Sequence, residues 1–105
     1  MKIANKRVLV IVAHTDDESF GCGGFIKKLS STNNVKAISF TNGIGARANK
    51  KINDLKFRQK ASYKASKILG FDWIQQYNYA DNELDKVSLL EIIRVIEINK
   101  KKFKP

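Results

Sequence analysis

The residues best equipped for chemistry stand together near the start of the chain, in Ala13-His14-Thr15-Asp16-Asp17-Glu18. An imidazole and three carboxylates crowd one short run, and carboxylates so close repel one another unless a cation or a proton sits among them. His14 and Asp17 offer an imidazole nitrogen and a carboxylate oxygen, a donor pair suited to one divalent metal. Asp16, one residue earlier and pointing elsewhere, stays free to take a proton from an attacking water. That division of labour is metal-assisted hydrolysis, in which a cation polarises a carbonyl and a carboxylate serves as general base. A structural account competes with it. Thr15-x-x-Glu18 has capping-box spacing ahead of an apolar helix, and acidic residues stabilise a helix N-terminus.

Such a cluster works only if regular elements hold it. Residues 8–13, Val-Leu-Val-Ile-Val-Ala, are continuously apolar and read as a strand buried on both faces, as in a parallel sheet. Cys22, Phe25, Ile26 and Leu29 then fall at helical spacing, and residues 35–41 read as a second strand after a turn cluster. The stretch from Ile52 to Leu69 predicts a helix with Phe57, Ala61, Ala65, Ile68 and Leu69 facing inward and Gly70 as its stop. Residues 73–79 alternate and are rich in aromatics, which predicts a third strand. A third helix is expected from 87 to about 103, with Leu89, Ile92, Ile93 and Ile96 as its stripe. Ser88 and Glu91 have capping-box spacing, and lysines suit its C-terminal end. The order β-α-β-α-β-α implies an α/β fold, a parallel sheet with helices on its faces. Ligands in such sheets bind at the carboxyl ends of strands, where His14 falls.

Gly21-Cys22-Gly23-Gly24 is not a dinucleotide fingerprint. Carboxylates occupy the strand-to-helix turn where bare glycines should meet a pyrophosphate. Small residues there are expected to let the first helix pack closely, with Cys22 in the core.

Composition narrows the classes further. At 105 residues and 43% apolar content the chain fits one small domain, spanning residues 1–105. Cys22 is alone, so no disulfide framework exists. The best apolar run is far short of the ~20 residues that a membrane span requires, and it is no signal-peptide core. The cytoplasm is the expected location. Twenty Lys and Arg against ten Asp and Glu give a net charge of +10. The lysines are spread over every segment and thicken only at Lys100, Lys101, Lys102 and Lys104, so a solvated surface is expected, with no nucleic-acid partner.

Ala13 to Glu18 followed by Gly21 to Gly24 resembles the opening motif of the PIG-L/LmbE-like N-acetylglucosaminyl deacetylases. The resemblance continues in Thr41-Asn42-Gly43 with Arg47, in the stretch from Arg58 to Gly70, and in Asp81-Asn82-Glu83-Leu84. It implies a Rossmann-like three-layer α/β fold and a hydrolase that removes acetate from an N-acetylated amino sugar or glycoconjugate. It makes His14 and Asp17 ligands of zinc or another divalent metal and Asp16 the general base. Arg47 and Asp81 become substrate-holding residues, and Glu18 a support for the ligands or a cap. Arg58 is expected to be structural.

Two departures matter. Thr15 stands where the family usually has Pro, which removes no ligand. The family's third metal ligand and acid-type histidine belong to a downstream strand and a His-x-x-His segment, whereas His14 is this sequence's only histidine. The chain therefore reads as the N-terminal part of a single deacetylase-like domain, weak or inactive alone, with an uncovered sheet edge prone to self-association. Two other readings are a receiver-like domain phosphorylated on Asp81 and a non-catalytic remnant that serves as a binding module.

Overall fold

The computed structural model of the chain describes residues 3–15, 17–41, 52–79 and 86–105, with the side chains of 17–20 and 52–55 left aside. Six elements follow in the expected order: β1 (Arg7–His14), α1 (Asp17–Ser30), β2 (Asn34–Thr41), α2 (Ile52–Leu69), β3 (Asp72–Tyr79) and α3 (Leu89–Phe103). The strands form one parallel sheet in the spatial order β1-β2-β3.

Helices cover both faces, which makes three layers. On one face Ile26 and Leu29 of α1 pack with Val35, Ala37, Phe71 and Trp73. On the other, Val95 of α3 packs with Ile38 and Phe40, joined by Leu9, Tyr77 and Tyr79. β2 is the central strand and the most buried, with Ala37 and Ile38 at 0% exposure. Burying a side chain the size of Ile38 is worth roughly 1.5–3 kcal/mol.

β1 departs from expectation. None of its residues is fully buried and Ile11 is 41% exposed, because among the described residues β1 pairs with β2 alone and forms one edge of the sheet.

The inward face of α2 also differs. Phe57 and Ile68 are 75% and 69% exposed and Ala61 is exposed, while Ser62 and Ser66 are buried, with Ala65 and Leu69 half-buried beside them. The helix is turned so that its small residues meet the sheet. Each serine donates its hydroxyl to the carbonyl three residues back, Gln59 and Tyr63 respectively, and so enters the core without an orphaned group. The freed surface is filled by Trp73, whose indole N–H donates to Ser62 O at 3.2 Å, and by Gln76, whose amide donates to Ser62 Oγ at 2.8 Å.

Gly70 ends α2 with φ +88°, its N–H and that of Phe71 both donating to Ser66 O. On α1 Phe25 is 46% exposed, so only Ile26, Leu29 and half-buried Cys22 of the expected set face inward. The glycine expectation holds in part. Gly23 is buried, but a methyl group at Gly21 or Gly24 would meet nothing within 4 Å. The helix kinks there instead, at Cys22 (φ −148°, ψ 25°).

α3 begins as predicted, with the Ser88 hydroxyl accepting from Glu91 N at 3.2 Å. The Glu91 carboxylate accepts from the Tyr79 hydroxyl at 3.0 Å, tying the helix to the end of β3. The stripe is rotated relative to the sequence reading. Val95, Asn99 and Phe103 are buried, with Ile92 and Ile96 beside them, and Leu89 and Ile93 are exposed. Buried Asn99 donates to Tyr77 Oη at 3.0 Å and to Val95 O at 2.8 Å. At the helix end Lys36 Nζ lies 5.2 Å from the Phe103 ring centroid, a cation–π contact across to β2.

Candidate active site at the carboxyl ends of the strands

His14 is the last residue of β1 and pairs in register with Thr41, the last of β2, which in turn pairs with Tyr79, the last of β3. The three strands therefore end level. Val10 and Val12 pack into the core under α1, so His14, two residues further along, projects on that same face. One described turn residue, Thr15, lies between the strand and Asp16, and α1 opens at Asp17. The sequence-predicted ligands His14 and Asp17 thus flank one strand-to-helix corner. Asp17 and Glu18 stand in the first helical turn, where the unpaired amides of a helix N-terminus favour negative charge.

His14 is half-buried. Asp16, Arg47 and Asp81 lie outside the described residues, as do the side chains of Asp17 and Glu18. Arg58 is half-buried on α2. Among the described residues no three His, Cys, Asp or Glu gather into a metal-binding group.

Two groups near the end of β2 have no role assigned from sequence. Ser39 and Thr41 are both 0% exposed, and neither Ser39 Oγ nor Thr41 Oγ1 has a hydrogen-bond partner among the described residues. A buried hydroxyl left so costs about 1–3 kcal/mol. The signal was present in the strand pattern, since both share the inward face with Ala37 at every second residue.

At the other side of the site, Tyr79 stacks in a cluster with Phe40 and Tyr77, ring centroids 6.1 to 6.3 Å apart. Burial, and then the carboxylate of Glu91, push its phenol above the ordinary range. A groove of about 1040 Å³ opens at the opposite end of the sheet between Lys6, Arg7, Asn34 and Lys104. It holds none of the cluster's residues.

The family model described as GlcNAc-PI de-N-acetylase, PIG-L, matches residues 9–105. The chain belongs to the PIG-L family. The N,N'-diacetylchitobiose deacetylase from Pyrococcus horikoshii is similar in structure, with a TM-score of 0.75 and 30% identity, over 91% of this chain and 37% of that one. Two more distant structures share the fold. GalB, the 4-carboxy-2-hydroxymuconate hydratase from Pseudomonas putida KT2440, gives a TM-score of 0.74 at 17% identity, over 95% of this chain and 44% of that one. The conserved protein TT1542 from Thermus thermophilus gives 0.67 at 23%, over 89% and 41%. No curated protein matches. This PIG-L chain thus spans less than half the length of each of these structures. Membership leaves the receiver-like reading without support. No helix among the described residues is long and apolar enough to cross a membrane.

Proposed function

We propose that the chain carries part of the active site of a zinc-dependent hydrolase that removes acetate from an N-acetylated amino sugar or glycoconjugate. The observation that carries this reading is the level ending of the strands. His14 closes β1 and Asp17 opens α1 at the corner where parallel α/β sheets take their ligands. The family match and the deacetylase likeness support the same reaction class.

The residues fit a zinc-type cation in kind. An imidazole nitrogen and a carboxylate oxygen are both habitual zinc donors, and His14 and Asp17 would be two of the three protein ligands a catalytic zinc normally takes. The orphaned hydroxyl of Thr41 beside His14 is a polar group still lacking a partner at the same corner. When bound, the metal polarises the acetamide carbonyl and lowers the pKa of water. Asp16 takes the proton from the attacking water, Arg47 and Asp81 hold the sugar, and Glu18 steadies the corner. With two ligands and no second histidine, the 105-residue chain alone is expected to bind zinc weakly and to turn over slowly or not at all.

Titration with cobalt(II), followed by its visible absorption, tests the ligand assignment. Weak binding that is lost in His14→Ala and falls in Asp17→Ala is expected; unchanged binding in both variants refutes the assignment. Asp16→Asn should keep cobalt affinity, and in an enzyme supplied with a third ligand it should abolish acetate release. Retained turnover there would remove Asp16 as the base.

A further inference from the structure

Of the two orphaned hydroxyls, only one has a neighbour with chemistry to perform. Ser39 pairs with Val12, an apolar side chain in the core beneath α1, whereas Thr41 pairs with His14. Residues in register on adjacent parallel strands project on the same face, and the strands lie about 4.8 Å apart. Thr41 Oγ1 is fully buried, without a partner, and next to the imidazole. Shape alone does not account for the residue. Valine has nearly the same volume and the same β-branch, and would fill the position without burying a polar atom. Native structures seldom keep a buried polar group unpaired without a cause.

We propose that Thr41 is a positioning residue that acts through His14. Its hydroxyl, unbonded in this structure, is the group placed to hydrogen-bond the imidazole edge facing β2 and so to fix the ring's tautomer and orientation for metal binding. A metal-bound histidine usually has its other ring nitrogen held by a partner, which sets the tautomer and raises the ligand's affinity. This inference rests on the metal reading above and assigns its orienting partner to β2.

His14 is the only histidine, so the imidazole nitrogen resonances of the chain belong to it alone. In the metal-free chain at a fixed pH where the ring is neutral, Thr41→Val should shift the balance between the two tautomers. In cobalt(II) titrations the same variant should bind about 10- to 100-fold more weakly. Thr41→Ser should restore both readouts, and Ser39→Ala should move neither. Should Thr41→Val not fold, Thr41→Ala read by the same two measurements decides the matter. An unchanged tautomer balance with unchanged cobalt affinity, while His14→Ala abolishes binding, overturns the role of Thr41 and leaves the metal reading standing. Cobalt binding unaffected by His14→Ala sinks the metal reading instead, and the tautomer measurement alone then decides whether Thr41 holds His14.

Discussion

Gly70 is where the two-helix layer is most tightly specified, and Gly70→Ala should show it. At φ +88° the residue is left-handed, and a methyl group there would stand 2.5 Å from Ser30 Oγ and 2.9 Å from Ser30 Cβ. The backbone conformation alone costs an alanine about 1–2 kcal/mol. Relief of the contact must displace Ser30, whose hydroxyl lies 2.8 Å from Leu69 O and 3.0 Å from Lys27 O. Losing that bond removes about 0.5–1.5 kcal/mol. Lower entropy of the unfolded chain returns about 0.4–1 kcal/mol, so a net loss of about 0.5–3 kcal/mol is expected. For a domain of this size each kcal/mol moves the melting temperature by roughly 4–5 °C. Thermal unfolding followed by circular dichroism should therefore show a drop of about 2–15 °C. Ser30→Gly removes both clashing atoms, so the double variant should lose less than the two single losses combined. A melting temperature within about 2 °C of the wild type would refute the reasoning.

Four further variants test the packing. Ser66→Leu should destabilise by about 1–3 kcal/mol, since Ser66 is 3% exposed where α2 meets the sheet. Ile68→Ser, two residues on and 69% exposed, should stay within about 0.5 kcal/mol in urea denaturation; the reverse ranking would restore the face read from sequence. Tyr79→Phe should cost below about 1 kcal/mol near neutral pH by losing the bond to Glu91. The Tyr79 phenol titrates above its ordinary 10.0, so its contribution is complete below pH 10 and is lost as pH rises through the raised value. The stability gap between wild type and Tyr79→Phe should therefore close above pH 10, and a gap that widens there contradicts the assignment. Asn99→Leu should cost about 1–3 kcal/mol by leaving the Tyr77 hydroxyl without its amide donor, and an unchanged urea midpoint would show that the bond contributes nothing.

The element order and the corner holding His14 and Asp17 were legible in sequence because each rests on local pattern: apolar runs of strand length, helical spacing, and a cluster of donors at a strand end. The facing of α2 was not. Phe57 and Ile68 look like core residues, yet α2 meets the sheet through Ser62, which Trp73 and Gln76 of β3 bond, and through buried Ser66. A serine that satisfies its own hydroxyl on the preceding turn is nearly as good a core residue as alanine, and hydropathy does not record that. β1 misled for a related reason. Its run of valines reads as doubly buried, whereas burial also depends on how many strands flank it. Thr41 stands in the sequence as part of a motif without a role of its own, because the residue opposite it depends on register, which a single strand does not show.

The placement of α3 has a consequence for where this sheet can grow. α1 and α2 lie on one face while the strands step outward from β1 to β3, and α3 lies on the other face. Parallel connections keep a right-handed sense in nearly all proteins, so a helix on the reverse face carries its chain back in the opposite direction. Any parallel strand reached from α3 by that path would come to rest along the flank of β1 that no described strand covers. The sheet would then change its winding direction at β1, and a crevice would open directly above His14.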